Sequence, residues 1–130
     1  MPKYVVQKTL LALNDHEKSV KGARILIEGV AYKKDINDVR ESPALDIMSE
    51  LISLGADISY HDEFVPELDL NGTQYQSVSL SEAELKQSDC VVIVTNHSAL
   101  DVGFVVEHAK LIVDTRNVTK GMDGQGIWRI

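Results

Sequence analysis

The residues best suited to chemistry are cations and hydrogen-bond donors in three short polar stretches: residues 31–40, 95–98 and 114–117. Each stretch follows an apolar run that is typical of a buried strand. Lys33 lies in the first stretch and Arg116 in the last. The middle stretch supplies hydroxyl and amide groups from Thr95, Asn96 and Ser98. An arginine offers a planar pair of donors and a lysine a point charge, so the combination suits a diphosphate.

A second interpretation of the first stretch needs no ligand. Its three cations, Lys33, Lys34 and Arg40, could pair with three nearby carboxylates, Asp35, Asp38 and Glu41. Ion pairs of this kind on a solvated loop contribute little to stability and bind nothing. The residues alone leave both interpretations open.

The first polar stretch connects a predicted strand to a predicted helix. Residues 25–27 form a short apolar run closed by Gly29, which indicates a buried strand of a parallel sheet. Ser42 is the expected N-cap of the helix, and Pro43 suits its first position, where a missing N–H costs nothing. Gly55 is expected to end the helix. The predicted apolar face of this helix consists of Leu45, Met48, Leu51, Ile52 and Leu54.

Other helices and strands alternate along the chain. Helices are predicted at residues 4–13, 82–87 and 102–108, and strands at 58–61, 90–94 and 111–113, with a short edge strand at 75–78. Val6, Leu10 and Leu13 give the first helix its expected apolar face. Residues 62–72 are predicted to be a polar loop, and Trp128 is expected to cover an edge after the glycine-rich residues 120–126.

This alternation predicts an α/β fold: a Rossmann-like, three-layer, doubly wound, mainly parallel sheet with right-handed crossovers. The carboxyl ends of parallel strands share one edge of the sheet, and neighbouring strands lie about 4.8 Å apart. Lys33 and Arg116 are therefore expected to reach one anion even with a strand between them.

The composition excludes several classes of partner. The net charge of −7 argues against nucleic acid, whose phosphates require a basic face. No apolar run approaches the roughly 20 residues of a membrane span, and no membrane partner is expected. The single cysteine cannot form an internal disulfide, which agrees with a reducing cytoplasm.

The segment GVAYKKDINDVRESPALDI closely resembles the opening of the C-terminal, nucleotide-sugar-binding domain of the UDP-glucose/GDP-mannose dehydrogenase family. The resemblance implies that Tyr32 and Lys33 contact the nucleotide sugar. It implies the same for Arg116 in DTRN, and it implies that Arg40 reaches NAD bound by another domain. The paired lysines and DTRNVTK are most similar to the members that act on UDP-N-acetylglucosamine or UDP-N-acetylmannosamine.

The resemblance also implies the activity of a longer enzyme. Such an enzyme oxidises the C6 alcohol of a UDP-sugar to a carboxylate in two NAD-dependent steps, serves polysaccharide biosynthesis and forms a homodimer. Residues 1–20 would be the end of an interdomain helix and its connector, and residues 21–130 the nucleotide-sugar-binding domain. The catalytic cysteine and the main NAD site would lie outside this chain, which alone would be inactive.

Several residues that could suggest other chemistry are expected to be structural. No GxGxxG turn follows residues 25–27, so the chain lacks the usual dinucleotide cradle. Cys90 opens a buried strand and is predicted to be a core residue. His97 is predicted to be a minor ligand contact, and Asp62 to act in a turn or cap. The other histidines, His16, His61 and His108, are expected to be structural or surface residues, and no metal site is predicted.

Two alternatives from other functional classes can be weighed. A receiver-like regulatory domain needs an acidic cluster after its first strand, but this chain has Lys33 and Lys34 there. The charges are reversed, so the sequence argues against that class. A Rossmann-like oligomerisation module, with the first helix exposing Val6, Leu10 and Leu13, stays open.

Overall fold

A computed structural model describes residues 2–122 and 126–130. Its elements, in chain order, are α1 (Pro2–Asp15), β1 (Arg24–Glu28), α2 (Pro43–Ser53), β2 (Asp57–His61), β3 (Glu67–Leu70), β4 (Thr73–Gln76), α3 (Glu82–Gln87), β5 (Cys90–Ile93), α4 (Val102–His108), β6 (Ile112–Asp114) and β7 (Ile127–Arg129). Five strands form one sheet in the order β2-β1-β5-β6-β7, and all the pairings in it are parallel. The predicted doubly wound parallel sheet is confirmed.

Helices cover both faces of this sheet because its central strands are apolar on both sides. All four residues of β5 are buried. Ile25 and Ile27 of β1 join the core under α1 and α2, whereas Leu26 faces the other core, under α3 and α4. Neighbouring residues of β1 face different cores because successive side chains of a strand point to opposite faces of the sheet. The fold therefore has the three predicted layers.

Helix α2 begins as the sequence predicts. Ser42 has extended backbone, its hydroxyl accepts the N–H of Ala44, and Pro43 occupies the first turn. Met48 and Leu51 are fully buried, but Leu54 is 44% exposed. Its inclusion in the apolar face was wrong, because the helix ends at Ser53 and Leu54 is its C-cap.

The buried face of α1 differs from the prediction. Val6 and Leu13 are buried, but Leu10 is exposed, and the remaining buried positions are Val5, Thr9 and Ala12. The small residues Thr9 and Ala12 allow close approach to the core. The Thr9 hydroxyl is satisfied because it donates to the carbonyl of Val5 at 2.9 Å. The helix shares one hydrophobic core with residues 21–130; the domain division at residue 20 stays a prediction.

The predicted loop at residues 62–72 is wrong, since it contains β3. Strands β3 and β4 form a separate antiparallel hairpin, so the predicted edge strand at 75–78 begins earlier and does not join the main sheet. The hairpin turns at Asn71 and Gly72, which have φ of 52° and 87° and are typical of a two-residue turn. Leu68 and Leu70 alternate into the core, whereas their neighbours are exposed.

The carboxyl-terminal end of the chain adds a strand that was not predicted. Trp128 lies within β7, which pairs with β6 and forms an edge of the sheet rather than covering one. The predicted glycine-rich segment at 120–126 falls partly outside the described residues. None of the helices in the described ranges is long and apolar enough to cross a bilayer.

Candidate anion-binding site

A crevice opens at the carboxyl edge of the sheet, where the strand order reverses. The chain leaves β1 toward β2 on one side and returns to β5 on the other. The loops after these two strands diverge, and open α/β sheets bind ligands at such a switch point. Strand β5 lies between β1 and β6, so one strand separates the exits that carry Lys33 and Arg116, as predicted.

The crevice encloses about 370 Å³, and residues from three exit loops and α2 line it: Tyr32, Lys33, Lys34, Pro43, Val94, Thr95, Asn96 and Arg116. Lys33 and Arg116 are thus brought together at one pocket. The Nζ atom of Lys33 lies 6.0 Å from the centroid of the exposed Tyr32 ring. Arg40 lines a neighbouring recess beside Tyr32 and not this pocket.

In the described part of the chain, the cations of the pocket form no close ion pair with a carboxylate. The pKa of Asp35 is lowered mainly by its hydrogen bonds from Ser98 and also by the charge of Lys34. Within residues 2–122 and 126–130, no ion pair of 4.0 Å or less involves Lys33, Lys34 or Arg116. The ion-paired interpretation is therefore wrong for the two lysines. It is right for Arg40, which lies 3.0 Å from Asp38, and the hydrogen bond from Arg40 lowers the pKa of that carboxyl. The pocket thus presents a local positive charge on an acidic protein.

Asp114, the last residue of β6, determines how Arg116 is presented. Its carboxylate is fully buried and accepts the main-chain N–H groups of Arg116, Val118 and Thr119, and also the Thr119 hydroxyl. Burial alone would raise the pKa of Asp114, but these hydrogen bonds lower it. The loop after β6 is wrapped around this carboxylate, so Arg116 projects from a fixed turn.

Two of the three predicted neutral donors have other partners. The Thr95 hydroxyl donates to the carbonyl of Ala31 at 2.7 Å, although Thr95 still lines the pocket. The Ser98 hydroxyl donates to Asp35, and Ser98 does not line the pocket. Both hydroxyls fix the loop after β1. Asn96 is the remaining predicted neutral side-chain donor that faces the crevice.

A second recess of about 330 Å³ is acidic and lies on the α4 side of the sheet. Glu28, His61, Glu63 and Asp101 contribute to its lining. Nδ1 of His61 lies 2.8 Å from Oε1 of the buried Glu28. Burial raises the pKa of Glu28, and the Glu28 hydrogen bond raises that of His61. Among the residues with described positions, no cluster of three or more acidic, histidine or cysteine side chains suits a metal ion.

The remaining residues that the sequence singled out lie outside the cationic pocket. Cys90 is buried as predicted, and burial raises the pKa of its thiol. Asp62 acts in a turn, as expected, because it accepts the N–H of Phe64. His97 is buried and lines the acidic recess rather than the cationic pocket. The bonds of Asp114 were missed; its position just before a turn-forming T-R-N segment was the available signal.

A doubly wound sheet with a cation-lined crevice at its switch point is typical of a domain that binds small anionic molecules. Residues 26–121 match the model of the UDP-glucose/GDP-mannose dehydrogenase family, UDP binding domain. The chain therefore belongs to the UDP-glucose/GDP-mannose dehydrogenase family. The resemblance expected from the first loop is confirmed.

Relatives with known names agree with this assignment. A UDP-N-acetyl-D-mannosamine dehydrogenase of Methanococcus maripaludis is 31% identical over 91% of this chain and 28% of its own length. One of Campylobacter jejuni is 37% identical over 74% of this chain and 23% of its length. A solved UDP-D-ManNAc dehydrogenase of Pyrococcus horikoshii has a TM-score of 0.79 over 99% of this chain and 30% of that chain, at 23% identity, which confirms the fold. This chain spans less than a third of the length of each.

Proposed function

We propose that this chain is the UDP-sugar-binding part of an NAD-dependent nucleotide-sugar 6-dehydrogenase. The observation that carries the proposal is the set of cations without carboxylate partners in a crevice of a UDP-binding family member, among the residues described. Lys33 and Arg116 bind the diphosphate from opposite sides of the β5 exit, and Tyr32 borders the nucleotide sugar. The relatives' names support a UDP-N-acetylhexosamine as substrate.

The NAD cofactor does not fit the loop of this chain as a main site. Gly29 is the one glycine between the end of β1 and the start of α2, so the glycine-rich turn is missing. The first turn of α2 is already capped by Ser42 and begins with Pro43. We propose that Arg40, near the end of this loop and two residues before Ser42, contacts NAD held by the remainder of the enzyme.

We propose further that the parent enzyme oxidises the sugar C6 alcohol to a carboxylate in two NAD-dependent steps. This reaction takes place in the cytoplasm and serves polysaccharide biosynthesis. The catalytic cysteine of the enzyme lies outside this chain. This chain alone produces no NADH from UDP-sugar and NAD. Measurable turnover by it would contradict this division of labour.

A titration of the isotopically labelled chain with UDP tests the binding role. Amide shifts are expected at residues 31–34 and 115–117. Each charge-assisted contact contributes about 1.5–3 kcal/mol, and a millimolar Kd needs only about 4 kcal/mol. Lys33→Ala and Arg116→Ala should each weaken binding, whereas Lys86→Ala, on the distant helix α3, should not. Shifts that avoid both loops, or equal losses in all three variants, would refute the role.

The exposed apolar residues on the outer side of α1 favour a second function, self-association. Tyr4, Leu10 and Leu11 are exposed there, at 44%, 36% and 47%. We propose that this helix also serves the homodimer of the full enzyme. Sedimentation of the chain should reveal self-association that Leu11→Glu abolishes, and a monomer at all concentrations would count against this module role.

A further inference from the structure

The loop that carries Lys33 and Lys34 is fixed at its start by Asp62, the residue after β2. Asp62 is fully buried. Its Oδ2 atom accepts hydrogen bonds from the main-chain N–H groups of Val30 and Ala31, at 2.9 and 3.0 Å. Hydrogen bonds to a carboxylate are stronger than those between neutral main-chain groups. The backbone that enters the cationic pocket is thus held in one position.

The same loop is fixed beyond the lysines by His97, from the exit of β5. The main-chain N–H of Asp35 donates to Nδ1 of His97 at 2.6 Å. The Asp35 carboxylate in turn accepts the main-chain N–H of Ser98 at 2.8 Å, and its hydroxyl. Asp35 has a φ of 63°, which an aspartate tolerates better than most residues. The two lysines therefore lie on a segment that is held at both ends.

The His97 ring connects these two attachments. Its side chain is 3% exposed, and the ring of Phe64 packs against it with centroids 4.6 Å apart. Because Nδ1 accepts the Asp35 N–H, the proton of the neutral ring must be on Nε2. Nε2 lies 2.8 Å from Oδ1 of Asp62 without the alignment of a hydrogen bond, so that contact is electrostatic. Nδ1 of the ring is therefore the acceptor for the Asp35 loop, and the protonated Nε2 faces Asp62.

We infer that His97 is a positioning residue for anion binding: its Nδ1 lone pair, by accepting the Asp35 N–H, holds Lys33 and Lys34 at the pocket. The inference rests on the proposed function for the identity of the ligand. His97 itself does not line the pocket, so it acts through the loop. A loop that must become ordered on binding loses affinity, and a fixed one avoids that loss.

Two substitutions separate this role from simple packing. In His97→Asn, the side-chain oxygen can occupy the position of Nδ1, so the acceptor for Asp35 is kept and the contact with Asp62 is lost. In His97→Gln, the side-chain amide can reach the position of Nε2, so the donor side is kept and the Asp35 acceptor is lost. Both variants remove the ring and its packing against Phe64.

UDP titration of the three proteins gives the functional result. His97→Gln is expected to weaken UDP binding by about 3- to 10-fold, the effect of one lost hydrogen bond. His97→Asn should stay within about twofold of the wild type. Urea unfolding of each variant reports the packing loss separately. Equal losses of UDP affinity in the two variants would overturn the inference, because packing alone would then explain them.

Amide hydrogen exchange tests the loop without ligand. In the wild type, the Asp35 N–H should exchange at least about tenfold more slowly than in an unstructured peptide. This protection should be lost in His97→Gln and kept in His97→Asn. Fast exchange of Asp35 in the wild type would overturn the inference even if neither variant folds. Slow exchange together with no UDP binding would refute the proposed function, while the loop-holding role of His97 would still be supported.

Discussion

Gly29 is the residue whose replacement most directly tests how the loop after β1 is packed. Its φ is +86°, a left-handed conformation that costs an L-residue about 1–2 kcal/mol. A Cβ added there would overlap the carbonyl oxygen of Thr95 and lie 2.8 Å from its carbonyl carbon. These are backbone atoms at the exit of β5, so they cannot move without shifting the strand.

Gly22 provides a matched control, because its φ is +84° but an added Cβ would have no atom within 4 Å. Gly22→Ala should therefore lose only the conformational term, about 1–2 kcal/mol. Gly29→Ala adds a backbone overlap, and its total loss should be about 4 kcal/mol or more. That is a large part of the 5–15 kcal/mol typical of a whole domain.

Urea unfolding followed by circular dichroism measures both losses. We expect the Gly29→Ala chain to unfold at a much lower urea concentration than Gly22→Ala, or to be unfolded without urea. The loop and β5 would have to separate for it to fold, so UDP binding should fall as well. Equal losses at the two glycines would refute the close packing of the β1 loop on Thr95.

Three further predictions concern charge. Because the pKa of His61 is raised by Glu28, the stability it contributes is present below about pH 6.5 and is lost as the pH rises through the folded value. Urea unfolding at pH 6 and 8 should reveal this decrease, and His61→Gln should flatten it; parallel curves would contradict it. Asp114 has a lowered pKa, so its stabilisation is present above about pH 4 and is lost as the pH falls through the folded value. By urea unfolding, Asp114→Asn should lower the free energy of unfolding by about 2 kcal/mol at pH 7 and remove the decrease in stability at acidic pH. If the variant loses stability at acidic pH as the wild type does, the Asp114 carboxylate does not stabilise this turn. Arg40→Ala should leave UDP affinity of this chain within about twofold by titration and weaken NAD binding only in the full enzyme; a large loss of UDP affinity would disprove this separation.

The fold was predictable where the signals are local. Ser42 and Pro43 mark the start of α2 by their own chemistry, and the apolar run from Cys90 marks a buried strand. The β3–β4 hairpin was missed because its strands are short and half polar, although Asn71-Gly72 gave its turn. The buried face of α1 was misjudged at Leu10, since tertiary packing chose the neighbouring line of small residues.

The site was predictable to the extent that topology determines it. Parallel strands bring their exits to one edge, so Lys33 and Arg116 could be expected to meet before the structure was known. The contacts that hold their loops could not. His97 accepts a hydrogen bond from Asp35, which is 62 residues away in sequence. No local sequence pattern predicts such a pair. Whether Lys33 was paired with a carboxylate also depended on side-chain geometry rather than on spacing.

The most direct test of the proposed diphosphate site is the affinity of this chain for uridine, UMP and UDP under identical conditions. If Lys33 and Arg116 meet at a diphosphate, UDP should bind at least about tenfold more tightly than uridine, with UMP between them. The double variant Lys33→Gln, Arg116→Gln should bind all three with similar, weak affinity. Equal affinities of the wild type for the three ligands would show that Lys33 and Arg116 do not bind a diphosphate.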